Sequence, residues 1–292
     1  MNTFTIASLE QGFERNGYVT DADISTVLYL LLKLQRPLLL EGHSGVGKTE
    51  VANMLAKVLG TELIRLQCYE GLDVNSAVYE WNYQRQLLSI KIYEASKKSE
   101  QEKEEHIFGK EFLLERPLLR SISAREASPV LLIDEIDRAD EEFEAFLLEL
   151  LSAFQISIPE LGTIKATHVP YVILTSNRTR ELSDALKRRC LYHWIDYPDK
   201  EKELRIIQKR LPNIEQRLAE QIVQFIQAIR QMKLSKPPGV AETLDWAMSL
   251  LALDSEELSA SIVERTLGCI LKSKEDIALV SAMGMEALIE AV

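Results

Sequence analysis

Gly42-His43-Ser44-Gly45-Val46-Gly47-Lys48-Thr49 follows the apolar run Pro37-Leu38-Leu39-Leu40 and opens a helical pattern. A glycine loop between a buried strand and a helix start is the context in which G-x-x-x-x-G-K-[ST] binds phosphate. Gly42, Gly45 and Gly47 admit conformations and close approaches that a Cβ blocks, so successive amide N–H groups can converge on phosphate oxygens. The whole loop, His43, Ser44 and Val46 included, is the expected nucleotide-binding segment. The next helix adds unsatisfied first-turn N–H groups and the positive end of its dipole. Lys48 is placed to reach the β- and γ-phosphates, and Thr49 to offer its hydroxyl to Mg²⁺. Val51, Met54, Leu55, Val58 and Leu59 recur at helical spacing, so one face packs inward while the loop stays at the sheet end. A plain glycine turn before a core helix is the competing reading.

Further along, Val130-Leu131-Leu132-Ile133 runs into Asp134-Glu135. Alternation along a strand points consecutive side chains in opposite directions, so the two acids should do different work. Asp134 is the expected Mg²⁺ holder, directly or through water, and Glu135 the group that orients and polarises an attacking water. Two acids after a buried strand often only cap a helix; the upstream loop gives them their chemical meaning. Phe143, Phe146, Leu147, Leu150, Leu151 and Phe154 then recur at helical spacing, with Glu141, Glu142, Glu144 and Glu149 on other faces. The run Tyr171–Ser176 ends at Asn177, whose amide can donate to a terminal phosphate or attacking water, or close an Asx-turn.

Five apolar runs, 37–40, 63–66, 130–133, 172–175 and 192–195, predict strands buried on both faces of a mostly parallel sheet. After Tyr197-Pro198 the strand signals stop, and residues 200–292 carry helical periodicity broken at Pro212 and at Lys236-Pro237-Pro238-Gly239. The expected organisation is an α/β domain over 1–198 and an all-helical domain over 199–292. The charged stretch Lys97–Glu105 reads as a solvated helix surface or mobile loop.

With 46% hydrophobic residues in 292, the chain can bury substantial cores. A formal charge of −11 argues against general nucleic-acid binding, which needs an excess of lysine and arginine. Cys68, Cys190 and Cys269 are odd in number and lack metal-site spacing, which fits reduced thiols and a cytoplasmic location. The four isolated histidines offer no zinc site. Neither a signal peptide nor an apolar run long enough for direct membrane insertion is visible.

The order of motifs, the glycine loop, then Leu131-Leu132-Ile133-Asp134-Glu135-Ile136-Asp137-Arg138-Ala139, Leu174-Thr175-Ser176-Asn177, Leu182-Ser183-Asp184-Ala185-Leu186-Lys187-Arg188-Arg189-Cys190 and a helical tail, resembles an AAA+ ATPase. More narrowly it resembles the MoxR family and its CoxD-like branch. That likeness is carried by Arg65–Asp73, Tyr79–Arg85, Thr175–Leu186 and Gly239–Ala247, and it covers the chain from about Gly17 to Ala247.

The resemblance implies a P-loop α/β fold with a parallel five-stranded sheet between helices and a small helical lid, with ATP and Mg²⁺ as ligands. It implies a homo-oligomer, a hexameric ring in which an arginine of one subunit completes the next subunit's site; Arg189 matches that arginine, with Arg188 as runner-up. Family members often carry a second arginine sensor in the lid, but Pro238–Thr243 has no arginine, which puts that sensing in doubt. Gly71–Tyr93 resembles an inserted helix, and Phe154–Ile164 an inserted β-hairpin. Alternation about Leu161-Gly162 independently suggests the hairpin. Tyr18-Val19 is a candidate border for the base. The resemblance further implies a chaperone that remodels client complexes, beside a von Willebrand factor A domain partner, the client being a metalloenzyme such as a molybdenum hydroxylase of the CO dehydrogenase type. A nucleotide-dependent switch or scaffold with slow turnover is the alternative, and a small-molecule kinase fits less well.

Overall fold

The computed structural model describes residues 4–94 and 106–290; the Lys97–Glu105 stretch lies outside them. The chain divides into two compact units. One takes in the described residues through Leu9, Ala22–Glu41 and Thr49–His193; the other takes in Glu10–Asp21, Gly42–Lys48 and the residues from Trp194 onward.

Strands β1 (Leu38–Gly42), β2 (Leu63–Gln67), β5 (Val130–Asp134), β8 (Tyr171–Ser176) and β9 (Leu191–Ile195) form a parallel sheet in the order β2-β5-β8-β1-β9. All five were legible as apolar runs. Val130, Leu132 and Ile133 at the sheet centre are fully buried, as expected for strands covered on both faces. Leu131 pairs with Val172 and Leu39 with Leu174 in parallel register, so β1, β5 and β8 end near one edge. Brief non-strand segments after those ends carry the polar groups described below.

The helix Lys48–Leu59 buries Val51, Met54 and Leu55, while Val58 and Leu59 are half-buried. The helix Glu141–Ala153 starts with Asp140, whose carboxylate accepts from the Phe143 N–H at 2.8 Å, satisfying an orphan first-turn donor. Phe143, Leu147, Leu150 and Leu151 face the core as expected, but Glu144 does too, at 2% exposure. It pairs with Arg180 at 2.5 Å and accepts from the Ser183 N–H at 3.0 Å; that partnership makes its burial tolerable.

The expected hairpin is present as β6 (Gln155–Ile158) and β7 (Gly162–Lys165), paired antiparallel. The expected inserted helix is not continuous. It forms as Val74–Val78 and Tyr83–Glu94, separated by strand β3 (Tyr79–Trp81), which pairs antiparallel with β4 (Leu113–Glu115). The ladder to β4 takes up the backbone groups of residues 79–81, and Trp81, 7% exposed, packs its ring inward.

The second unit contains the helices Lys200–Arg210, Gln216–Arg230, Val240–Ala252, Ala260–Ile270, Lys274–Ala282 and Met285–Glu290. Its core includes Ile207, Ile222, Phe225, Ile226, Trp246, Leu250 and Val263, all fully buried. Trp246 satisfies its indole N–H on Thr266 Oγ1 at 2.8 Å. Glu203 and Arg230, 0% and 4% exposed, form a bidentate pair at 2.7 and 2.8 Å, with Gln227 and Thr243 donating further bonds to Glu203. Satisfying the remaining lone pairs in this way is what lets a buried ion pair persist. The early segment joins this unit through Glu14, which pairs with Arg205 and Lys209, and Asp21, which pairs with Lys202.

Candidate functional site

The glycine loop owes its shape to close approaches. A Cβ on Gly42 would lie 2.2 Å from the Ile195 carbonyl oxygen, a collision with backbone that no side-chain rotation relieves. Gly45, at φ +77°, lies against Gly239: a Cβ on Gly239 would be 2.7 Å from the Ser44 carbonyl oxygen and 2.8 Å from Gly45 Cα. The Ala241 N–H donates to the Gly45 carbonyl at 3.1 Å. Glu242 reaches back to the Gly239 N–H at 3.0 Å, closing the capping arrangement of the helix Val240–Ala252. The His43 ring stacks on Tyr197, with centroids 4.6 Å apart, and meets Trp194 edge-on. The Arg230 guanidinium lies 4.7 Å from the Tyr197 ring centre and donates to the Pro238 carbonyl at 2.8 Å. Val46 is buried and Ser44 exposed. Lys48, 7% exposed, donates from Nζ to the carbonyls of Gly42 and His43 at 2.8 and 2.6 Å. Tyr18 meets Phe13 edge-on, and Val19 is buried.

The acidic strand end is a second polar cluster. Asp134, 3% exposed, accepts from Thr49 Oγ1 at 3.1 and 3.3 Å, from Thr175 Oγ1, and from Arg65, which also reaches Gln67. Thr49 and Asp134 are thus together, as the sequence led us to expect. Glu135 is not a continuation of the strand: β5 ends at Asp134 and Glu135 adopts φ +55°, ψ +49°. Its side chain diverges from that of Asp134 because of this left-handed turn rather than by strand alternation. Non-glycine residues held so are uncommon and concentrate at functional sites.

The Glu135 carboxylate receives Gln67 Nε2 at 3.2 Å and Asn177 Nδ2 at 3.5 Å, and pairs with Arg138 at 2.8 Å. Its backbone N–H donates to Thr175 Oγ1 at 2.9 Å. Asn177 therefore reaches across to the neighbouring acid instead of closing an Asx-turn. Arg65, Gln67 and Thr175 lie in stretches that carry the family resemblance, but the sequence assigns them no role in the site. The signal available for the first two was the polar set Arg65/Gln67 alternating with buried Ile64 and Leu66 on β2.

Glu41, just before the loop and 5% exposed, accepts from Tyr192 at 3.1 Å and Ser176 at 3.4 Å, with Arg178 at 3.8 Å. Burial, then the bond to Glu41, raises the Tyr192 hydroxyl above its ordinary value. Behind Asp134, burial pushes the Cys68 thiol up to about 12, and the carboxylates of Asp134, Asp137 and Glu135 add to the effect.

The two candidate arginines differ. Arg189 donates to Ser152 Oγ at 2.9 Å and to the Ala185 carbonyl at 3.2 Å. Arg188 is exposed, and its guanidinium has no partner among the described residues.

Among the described residues no group of three or more His, Cys, Asp or Glu side chains could hold a metal by itself. The Thr49 hydroxyl and Asp134 carboxylate nevertheless suit Mg²⁺, which takes oxygen donors and is commonly held by one or two protein groups plus phosphate and water.

A profile of the AAA domain (dynein-related subfamily) matches residues 37–190, more than half of the chain. An uncharacterized protein of Staphylococcus haemolyticus is 27% identical over 260 residues, spanning 87% of this chain and 90% of that protein. Another, from Staphylococcus aureus, is 28% identical over 254 residues, spanning 85% and 88%. Among solved structures, a mutant RuvB from Thermotoga maritima aligns with a TM-score of 0.51 at 19% identity, covering 86% of this chain and 70% of that one. At that identity the likeness speaks for the fold.

Proposed function

Since the chain belongs to the AAA domain family, in its dynein-related subfamily, we propose that it is an ATP-hydrolysing AAA+ protein of MoxR type, CoxD-like branch, that remodels or matures client complexes. The observation that carries the reading is the meeting of Thr49 with Asp134 at 3.1 Å, beside a left-handed Glu135 that receives Asn177 and Gln67.

In this reading the amides from Gly42 to Lys48 cradle the phosphates, and Lys48 exchanges its loop carbonyls for phosphate oxygens. Thr49 and Asp134 would hold Mg²⁺, which would supply neutralisation of charge on the phosphate oxygens. Glu135 orients a water and accepts its proton, while Asn177 donates to that water or to the terminal phosphate. Residues 1–198 serve as the nucleotide domain and 199–292 as the lid.

A ring, hexameric by family resemblance, supplies the trans arginine. Arg189 is the motif match, and the guanidinium of Arg188, exposed and without a partner among the described residues, favours that residue as a second reading. Motif resemblance supports a von Willebrand factor A domain partner and a metalloenzyme client. The charge of −11 supports a function without nucleic acid, and the three free cysteines support a cytoplasmic location. Among the described residues no helix is long and apolar enough to cross a membrane.

Glu135→Gln should bind ATP but lose turnover by about 10² or more, the scale on which general acid–base catalysts act. Lys48→Ala should weaken binding itself. Steady-state phosphate release and nucleotide titration separate these effects; full turnover in both variants would sink the proposal. Turnover indifferent to client, with client binding that follows nucleotide, would favour the switch or scaffold.

A further inference from the structure

Asp137 lies two residues beyond Glu135, in the tight turn Ile136–Arg138, and is 2% exposed. Motif reading gives it no part. Its Oδ2 accepts three hydrogen bonds from one short segment: the Asn177 N–H at 3.2 Å, the Thr179 N–H at 2.8 Å and the Thr179 hydroxyl at 2.7 Å. Its Oδ1 has no partner among the described residues. A buried oxygen left unpaired carries a desolvation penalty, so the carboxylate is concentrated on this segment rather than satisfied as a generic core polar group.

The segment it holds does not adopt an easy conformation. Arg178, between the two anchored amides, sits at φ +58°, a region that branched and long side chains seldom occupy. Its own N–H turns back to Ser176 Oγ at 3.0 Å. The result is that Asn177 Nδ2 lies 3.5 Å from Glu135 Oε1, at the outer limit of a hydrogen bond, where a small shift of the segment would separate the two. Asp137 and Glu135 share one turn, closed by the Arg138 N–H on the Glu135 carbonyl at 2.9 Å. Fixing the Asn177 backbone to Asp137 therefore fixes it relative to Glu135.

We propose that Asp137 is a positioning residue that clamps the segment Asn177–Thr179 and thereby sets the Asn177 amide against the Glu135 carboxylate. Its consequence for turnover rests on the ATPase reading above; the clamp itself does not.

The test measures amide hydrogen exchange at Asn177 and Thr179, together with ATP turnover, in wild type, Asp137→Ala, Asp137→Asn and Thr179→Val. Asp137→Ala should raise exchange at both amides by about tenfold or more and lower kcat by at least about tenfold, with the KM for ATP changed far less. The Asp137→Asn amide oxygen keeps an acceptor facing the segment, with two lone pairs and no charge, and should restore both readouts in part. Thr179→Val, which loses only the hydroxyl bond, should fall between. If Asp137→Ala does not fold, the other two variants decide by the same readouts. Unchanged protection of both amides in Asp137→Ala or, failing that, in Thr179→Val overturns the proposal. So does exposure of the amides with full turnover, or an Asp137→Asn as impaired as the alanine variant. A wild type without ATP turnover defeats the ATPase reading instead, and the exchange data then decide the clamp alone.

Discussion

Gly239→Ala isolates the close approach between the glycine loop and the start of the helix Val240–Ala252. The Gly239 backbone, at φ −84° and ψ −175°, suits any residue, so alanine meets no torsional penalty there. The collision is the whole effect: contacts of 2.7, 2.8 and 2.9 Å to the Ser44 carbonyl oxygen, Gly45 Cα and the Gly45 carbonyl carbon. All are backbone atoms, so relief requires the loop and the helix start to part by on the order of 0.5–1 Å toward normal carbon contact distances. Overpacking of this kind costs about 1–3 kcal/mol. Parting also weakens the Ala241–Gly45 hydrogen bond of 3.1 Å, worth about 0.5–1.5 kcal/mol. The smaller unfolded-state entropy of alanine returns about 0.4–1 kcal/mol. The expected net loss is therefore about 0.5–4 kcal/mol. Because the loop amides must converge on phosphate, ATP affinity should fall about tenfold as well. Urea denaturation with and without ATP, and a direct nucleotide titration, measure the two effects. Gly284→Ala is the control: φ there is +81° and, among the described residues, nothing lies within 4 Å of an added Cβ, so it should lose stability through torsion alone and keep its ATP affinity. A Gly239→Ala variant that binds ATP and unfolds like wild type would refute the reasoning, as would one indistinguishable from Gly284→Ala.

Arg188→Ala and Arg189→Ala should both assemble, and the variant lacking the trans arginine should lose about 10³-fold or more of turnover. Mixing it with Glu135→Gln subunits should recover activity at interfaces that combine an intact acid with an intact arginine, and no recovery would count against a shared site. Burial pushes the Cys68 and Cys190 thiols up to about 12, whereas Cys269 is half-buried, so a thiol reagent at pH 8 should label Cys269 first and the others only on unfolding. Raised thiol values give stability that is complete below the unfolded value of 9.0 and is lost as pH rises toward 12. Urea midpoints should therefore fall between pH 8 and 10.5, and prompt native labelling of Cys68 would contradict its burial.

The sequence alone determined the five sheet strands, the hairpin and the helical C-terminal region, and marked Thr49 and Asp134 as candidates for one site. Each depends on a short-range signal: an apolar run, a turn, or a motif whose spacing encodes a strand end. Local pattern could not reveal that Glu144 turns inward, since its partner Arg180 lies 36 residues on, nor that residues 79–81 interrupt the inserted helix by pairing with β4. The grouping of Glu10–Asp21 with the C-terminal helices depends on ion pairs such as Glu14–Arg205, spanning 191 residues. The close approach of Gly45 to Gly239 and the three bonds from Asn177 and Thr179 to Asp137 were likewise decided by tertiary structure. A sequence shows which residues can accept a bond or allow a close approach; only the folded chain decides which of them meet, because packing brings distant segments within bonding range.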